Sequence, residues 1–166
     1  GSARVELHGL QIYGTRASER ALMIRDNADV KLVACEIFGN GNGVYVGHNA
    51  SLELDRCVIR DCGSTGLVVA GCSGQCRVRH CQISRNHNHG VALGGQQVTP
   101  NNCVFHNTSI SHNWRSGMSL FEGASAAWQG PASYLDGNRE GRWIFQEWPV
   151  VSRLEGFQSK AVAEPA

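Results

Sequence analysis

The residues that could do chemistry in this chain are few. Aspartate stands only at Asp26, Asp29, Asp55, Asp61 and Asp136. Hydrolysis of a glycosidic bond wants two carboxyl groups facing one bond, and these five do not pair that way. Asp55 falls outward on a strand and Asp61 in a turn, while Asp26 and Asp29 flank a turn that Asx bonding would hold. The best cluster is Asp55, Arg77, Arg79 and His80, on neighbouring repeats. Asp55 and Arg79 share a column there, so a cross-coil ion pair is the favoured account and catalysis the alternative. Asn86-His87-Asn88-His89 sets two imidazoles two apart, and Cys72-Ser73-Gly74-Gln75-Cys76 sets two thiols four apart. Structural zinc wants one closely spaced pair joined by a second. Cys76 aligns with the inward Val5, Val30 and Leu52, which leaves Cys72 without that partner. His87 and His89 read as solvated turn residues. No metal and no other cofactor is expected.

The elements that must position these residues come from a repeat. Ile12, Ile37, Ile59, Ile83 and Ile110 are spaced by 25, 22, 24 and 27 residues. Two residues before them stand Leu10, Cys35, Cys57, Cys81 and Thr108, and three after stand Thr15, Asn40, Cys62, Asn86 and Asn113. A little later come Ala21-Leu22, Gly43-Val44, Gly66-Leu67, Gly90-Val91 and Gly117-Met118. Upstream, Val5/Leu7, Val30/Leu32, Leu52/Leu54, Cys76/Val78 and Cys103/Phe105 alternate at strand period. Asn and Gly recur where the backbone must bend. A repeat of this length, made of three short strands, fits one coil of a parallel β-helix, whose coils bury a core only by stacking. A leucine-rich repeat would need a helical half-repeat that is missing here.

Read column by column, Cys35, Cys57 and Cys81 are small buried hydrophobes. Asn40, Asn86 and Asn113 suggest an amide ladder interrupted by Cys62. Glu6, Lys31, Glu53 and Arg77 alternate in sign on an outward column, which favours this register. The outward column of the last strand reads Met23, Tyr45, Val68, Ala92 and Ser119, beside the small Gly47, Ala70 and Gly94 closed by Phe121. Such an apolar outward stripe marks a contact surface or the seat of a covering loop, and Gly95–Pro100 is an insertion that could cover it. Met23, Tyr45, Val68 and Phe121 are the candidate partner-binding residues.

Composition narrows the function classes. Glycine is 20 of 166 residues, about 12% against a usual ~7%, and charged residues are 17%. A formal charge of +1 gives no general attraction to nucleic acid or anionic membrane. No apolar run approaches the ~20 residues of a membrane span, and no secretory n-region and h-region are present. Gly1-Ser2 reads as an expression scar and the chain as an excised piece. Seven cysteines, an odd number, fit free thiols in a reducing compartment, so an intracellular setting, cytoplasmic or nuclear, is expected. Two glycosylation sequons, at Asn49 and Asn107, point the other way and carry little weight.

The pattern Cys-x-Ile-x-x-Asn followed by Gly-Val resembles the right-handed parallel β-helix repeat of pectin-lyase-like proteins, over about residues 3–123. The same repeat occurs in carbohydrate-active enzymes and in F-box and Shc-binding β-helix proteins. The resemblance implies an all-β, single-stranded, right-handed parallel β-helix of about five coils, and it hosts unrelated activities. Carbohydrate-active members use clustered carboxylates, often with Ca²⁺ or an Arg base, and no paired aspartates of that kind are present. After Gly123 the columns fail, and Trp128, Trp143, Phe145, Trp148 and Phe157 gather. Residues 124–159 are therefore expected to form an aromatic-rich cap over an open edge, or else a docking segment, with 160–166 as a tail. The functional expectation is a non-catalytic β-helix module that binds a protein partner within a larger protein or complex. A polysaccharide-acting lyase, hydrolase or epimerase, or a carbohydrate-binding module, is the alternative.

Overall fold

Apolar side chains at every second position, broken by residues that bend the chain, give strands too short to stand alone. The structure, a computed structural model, describes residues 2–14, 18–39, 41–130, 134–141, 143–145 and 153–155. Its first coil holds β1 (Arg4–His8), β2 (Gln11–Tyr13) and β3 (Arg20–Ile24), and its second β4 (Asp29–Val33), β5 (Glu36–Phe38) and β6 (Asn42–Gly47). The third holds β7 (Ser51–Asp55), β8 (Val58–Arg60) and β9 (Leu67–Ala70), and the fourth β10 (Cys76–Arg79), β11 (Gln82–Ser84) and β12 (Val91–Gly94). The fifth holds β13 (Cys103–His106), β14 (Ser109–Ser111) and β15 (Met118–Phe121), after which come β16 (Ser125–Gln129), β17 (Trp143–Phe145) and β18 (Arg153–Glu155). Three sheets result, ordered β1-β4-β7-β10-β13-β16-β18, β2-β5-β8-β11-β14 and β3-β6-β9-β12-β15-β17. Their strands pair in parallel, each with its equivalent one coil away.

The isoleucines form one column. Ile12, Ile37, Ile59, Ile83 and Ile110 pair in register. The last four are fully buried, and Ile12 is half-buried at the end of the stack. The Gly of the Gly-Val step is explained by this column. A Cβ on Gly43 would fall 2.8 Å from Ile59 Cγ2, and one on Gly66 2.9 Å from Ile83 Cγ2. Close approach to the next coil's isoleucine and to its backbone carbonyl, Gly66 O at Gly43 and Gly90 O 2.8 Å away at Gly66, and not an unusual φ, excludes a side chain there.

The corners between the first two sheets turn on one residue in the left-handed region, at Gly9, Ala34, Arg56, His80, Asn107 and Gly130. Where that residue is not glycine, an L side chain bears a cost of roughly 1–2 kcal/mol. The turn holding Asp26 closes through Ala28 N donating to Arg25 O at 3.2 Å. The carboxylate of Asp26 meets Arg25 at 3.2 Å, and that of Asp29 meets Arg4 at 3.7 Å.

The asparagine ladder forms and extends further than expected. Asn86 Nδ2 donates to Asn113 Oδ1 at 2.9 Å, and Asn113 Nδ2 donates to Asn138 Oδ1 at 2.8 Å. Cys62, in place of an amide, donates its backbone N–H to Asn86 Oδ1 at 3.1 Å. Asn40 lies outside the described residues.

The columns do not fail at Gly123. β16 pairs with β13, β17 with β15 and β18 with β16, all in parallel. Trp128 enters the inward column beneath Phe105, with ring centroids 5.7 Å apart. Small Ala126 stands in the core where earlier coils carry Val30, Leu52, Cys76 and Cys103, which is why the aliphatic pattern fades while the pairing continues. Trp148, Phe157 and residues 160–166 lie outside the described residues, so the choice between cap and dock falls there.

All seven cysteines are buried free thiols. Cys57 donates its thiol to Leu32 O at 3.3 Å, and Cys72 donates to Ala50 O at 2.8 Å. The neighbouring Cys57, and then burial, push the Cys81 thiol up, and burial does the same at Cys72.

Candidate functional site

The outward stripe is built by β3, β6, β9, β12 and β15, because side chains alternate across a strand. Met23, Tyr45, Val68, Ala92 and Ser119 pair in one register. Met23 is exposed, and Tyr45, Val68 and Ala92 are half-buried. The Arg20 guanidinium lies 4.5 Å from the centroid of the Tyr45 ring. A Cβ on Gly47 would come within 3.1 Å of that ring, so Tyr45 lies along the sheet over its glycine neighbour. Phe121 likewise lies over Gly94, where any Cβ would strike its ring. Ser119 holds the expected outward register but is only 1% exposed, which limits the open stripe to its upper part. The insertion after β12 folds on itself, Val98 N donating to Gly95 O at 3.0 Å, and buries Val98 in the core.

The cluster expected at Asp55 is rearranged. Asp55 and Arg79 are register partners, but Arg79 reaches diagonally to Glu53. Asp55 accepts instead from Arg56 Nε at 3.2 Å. A long guanidinium spans to the carboxylate two residues away, while a short aspartate takes its chain neighbour. His80 packs edge-on against His106 of the next coil, with centroids 5.6 Å apart. Arg77 is exposed beside Glu53 in the register. The four residues therefore share a surface without converging on a point.

His87 and His89 part company. His87 is exposed and stacks on Trp114, its ring 6.1 Å away, while Arg139 covers Trp114 at 4.5 Å. His89, expected to be solvated, is buried, and its Nδ1 meets Ser116 Oγ at 2.7 Å. Burial, with repulsion from Arg115, holds its imidazole below the usual pKa, against the opposing pull of Glu140. The equivalent Thr65 and Ser116 are buried as well, so this column faces inward. Among the described residues no group of three His, Cys, Asp or Glu could hold a metal.

A second face carries a constellation that the aspartates alone did not show. The outward positions flanking the isoleucines bring together Tyr13, Phe38, Glu36 and Arg60, with Asp61 and Arg85 at the corners. Tyr13 stacks on Phe38 at 5.0 Å and 11°, and the Arg60 guanidinium covers Phe38 at 4.5 Å. Arg60 donates through Nε to Glu36 at 2.7 Å and through a terminal nitrogen to Asp61 at 2.6 Å. Arg85 grips Asp61 with two bonds, at 2.9 and 3.0 Å. Arg85, and then Arg60, hold the Asp61 carboxyl below its usual range against burial. Asp61, and then Glu36, hold the Arg60 guanidinium above its usual range. A general acid needs a carboxyl pushed upward and an Arg base needs a guanidinium pushed downward, so both shifts here run against catalysis. Reading the residues on each side of Ile12, Ile37 and Ile59 as one face is the signal that finds this cluster.

The coil geometry agrees with comparison to known families. A family model described as a right handed beta helix region matches residues 1–105. The chain belongs to that family: it is an all-β, right-handed parallel β-helix of about five coils, consistent with the pectin-lyase-like superfamily. No curated protein and no solved structure matches it. Among the described residues, no helix is long and apolar enough to cross a membrane.

Proposed function

We propose that the chain is a non-catalytic binding module, and that it presents the stripe of Met23, Tyr45 and Val68, with Phe121, to a protein partner. One observation carries this reading. The outward face of a solenoid sheet, where water normally selects polar residues, is apolar and flat, with Tyr45 laid over Gly47 and held by Arg20. Burying such a stripe supplies several kcal/mol at ~25 cal/mol per Å², before the cost of association. Tyr45 is the anchor, because it joins contact area to a polar tip. The carboxylates support the same reading, since Asp55, Asp61 and Glu36 each accept from a guanidinium.

Affinity capture from the native source tests it. Tyr45→Ser and Val68→Asp lose a partner that wild type and Asp55→Ala retain, with the coils still folded. Turnover of a uronic-acid polymer that Asp55→Ala or Arg79→Ala abolishes, with the stripe variants active, would sink the proposal.

Tyr13, Phe38 and Arg60 favour one second reading, a carbohydrate-binding face. An exposed ring beside planar polar groups is suited to sugar faces and hydroxyls. Affinity electrophoresis in acidic and neutral polysaccharide gels decides it, with retardation abolished by Tyr13→Ala as the supporting result.

A further inference from the structure

The corner between the second and third sheets carries one side chain per coil directly after the asparagine ladder. His87 follows Asn86, Trp114 follows Asn113 and Arg139 follows Asn138. The backbone ties these rungs together, Trp114 N donating to Asn86 O at 2.9 Å and Arg139 N to Asn113 O at 3.0 Å. The side chains stack in the same order. The planes of His87 and Trp114 lie 19° apart, and the Arg139 guanidinium, one coil further on, covers the other face of the indole. Trp114 is nevertheless 56% exposed, the largest exposed apolar side chain among the described residues. Arg115 stands beside it, exposed, its N donating to Asn88 O at 3.0 Å. Arg4, Arg25, Arg56, Arg60, Arg79 and Arg85 each pair with a carboxylate. Among the described residues, Arg115 and Arg139 pair with none, although Glu140 stands one coil below Arg115. A purely structural ladder needs the stack alone, and not two guanidiniums without counter-charge around an exposed indole.

We propose that this corner is a docking site for an acidic segment of a partner protein, whose carboxylates pair with Arg115 and Arg139 along the edge of Trp114. A guanidinium laid flat on a ring keeps its N–H edge free for a carboxylate. Trp and Arg are the residue types that carry most of the energy at protein interfaces. The asparagine ladder fixes the backbone beside both before any partner arrives, which lowers the cost of ordering them. A nucleic-acid strand fits less well. Its bases need an open aromatic face, and both faces of Trp114 are covered; its phosphates want a longer run of cations. The corner belongs to the fourth coil and those after it, whereas Met23, Tyr45 and Val68 lie in the first three coils on the third sheet. The site therefore does not rest on the stripe.

Fluorescence anisotropy of labelled decaglutamate, titrated with the 166-residue chain at low ionic strength and again with added salt, tests the site. Saturable binding is expected, weakening as salt screens the pairs. Arg115→Glu and Arg139→Glu each weaken it at least ~10-fold, about 1.4 kcal/mol. Trp114→Ala weakens it as well, because Arg139 loses its seat. Arg77→Glu makes the same change in net charge at an exposed position on the first sheet, and leaves the affinity unchanged. Tyr45→Ser also leaves it unchanged, which separates this site from the stripe. Thermal melts check folding, and the two exchanges at exposed arginines keep the test decisive if Trp114→Ala fails to fold. No binding of decaglutamate, an equal loss with Arg77→Glu, or tighter binding of a single-stranded oligothymidylate overturns the proposal.

Discussion

Asn138 Oδ1 accepts two bonds from Asn113, one from its side-chain amide at 2.8 Å and one from its backbone N–H at 3.0 Å. One carbonyl oxygen thus fixes both the side chain and the main chain of the coil before it. Asn113 repeats the arrangement toward Asn86, at 2.9 and 3.0 Å. The ladder converts a buried polar column into a register lock, since each amide is satisfied only when its neighbour is in place.

Asn113→Ala is therefore expected to destabilise the chain by about 2–4 kcal/mol, because it strands the Asn86 amide and N–H on one side and the Asn138 oxygen on the other. Urea unfolding reads this as a lower midpoint. A loss below half a kcal/mol would show that the ladder contributes no register energy.

Glycine has opposite effects at two kinds of position. Gly66→Ala forces a Cβ to within 2.9 Å of Ile83 Cγ2 and 2.8 Å of Gly90 O, and is expected to cost about 1–3 kcal/mol. Ala34→Gly relieves an exposed residue at φ 52, and after the unfolded chain's added entropy should gain about 0.5–1 kcal/mol. Paired thermal melts check both, and equal signs for the two variants would contradict the structure.

Two of the shifted groups, His89 and Asp61, contribute to the acid limb of stability in different windows. The folded pKa of His89 lies below its unfolded value near 6.5, so the folded state resists the proton. Stability is complete above that value and falls as pH drops below it. Asp61 has a depressed folded pKa, so its contribution is present above the unfolded value of ~3.9 and is lost as pH falls further, through the folded pKa. Melting temperatures across pH should therefore decline in two stages. His89→Gln flattens the upper stage and Asp61→Asn the lower one. A single stage unmoved by His89→Gln would contradict the burial of that ring.

The thiols give a kinetic prediction. Cys81 and Cys103 are pushed up, each by a neighbouring thiol and then by burial, while the Cys81 thiol holds Cys57 down to about 7; burial of all seven, not their acidity, is what slows attack. In native buffer a thiol-reactive chromophore should label the chain slowly, at the rate of coil opening. In denaturant without reductant, most of the seven should react at once. Three disulfides would refute this and move the protein to a secretory setting.

The repeat itself was legible because a solenoid writes its register into its period. Residues one coil apart are neighbours, so the Ile12-to-Ile110 column, the Gly-Val step, the cysteine column and the start of the asparagine ladder could all be aligned from spacing alone. Met23, Tyr45 and Val68 came out on one face for the same reason, since alternation at period two decides which side a strand residue takes. Only the tertiary structure decided what lies beyond the column. Arg79 chooses Glu53 over Asp55, and Arg60 bridges Glu36 and Asp61, because a long side chain selects its partner by rotamer and reach, which spacing does not encode. His89 is buried and Ser119 is covered because burial depends on what packs outside a column as well as on its parity. The ladders run on past Gly123 because backbone pairing continues where alanines and Trp128 replace the aliphatic pattern that made the earlier coils readable.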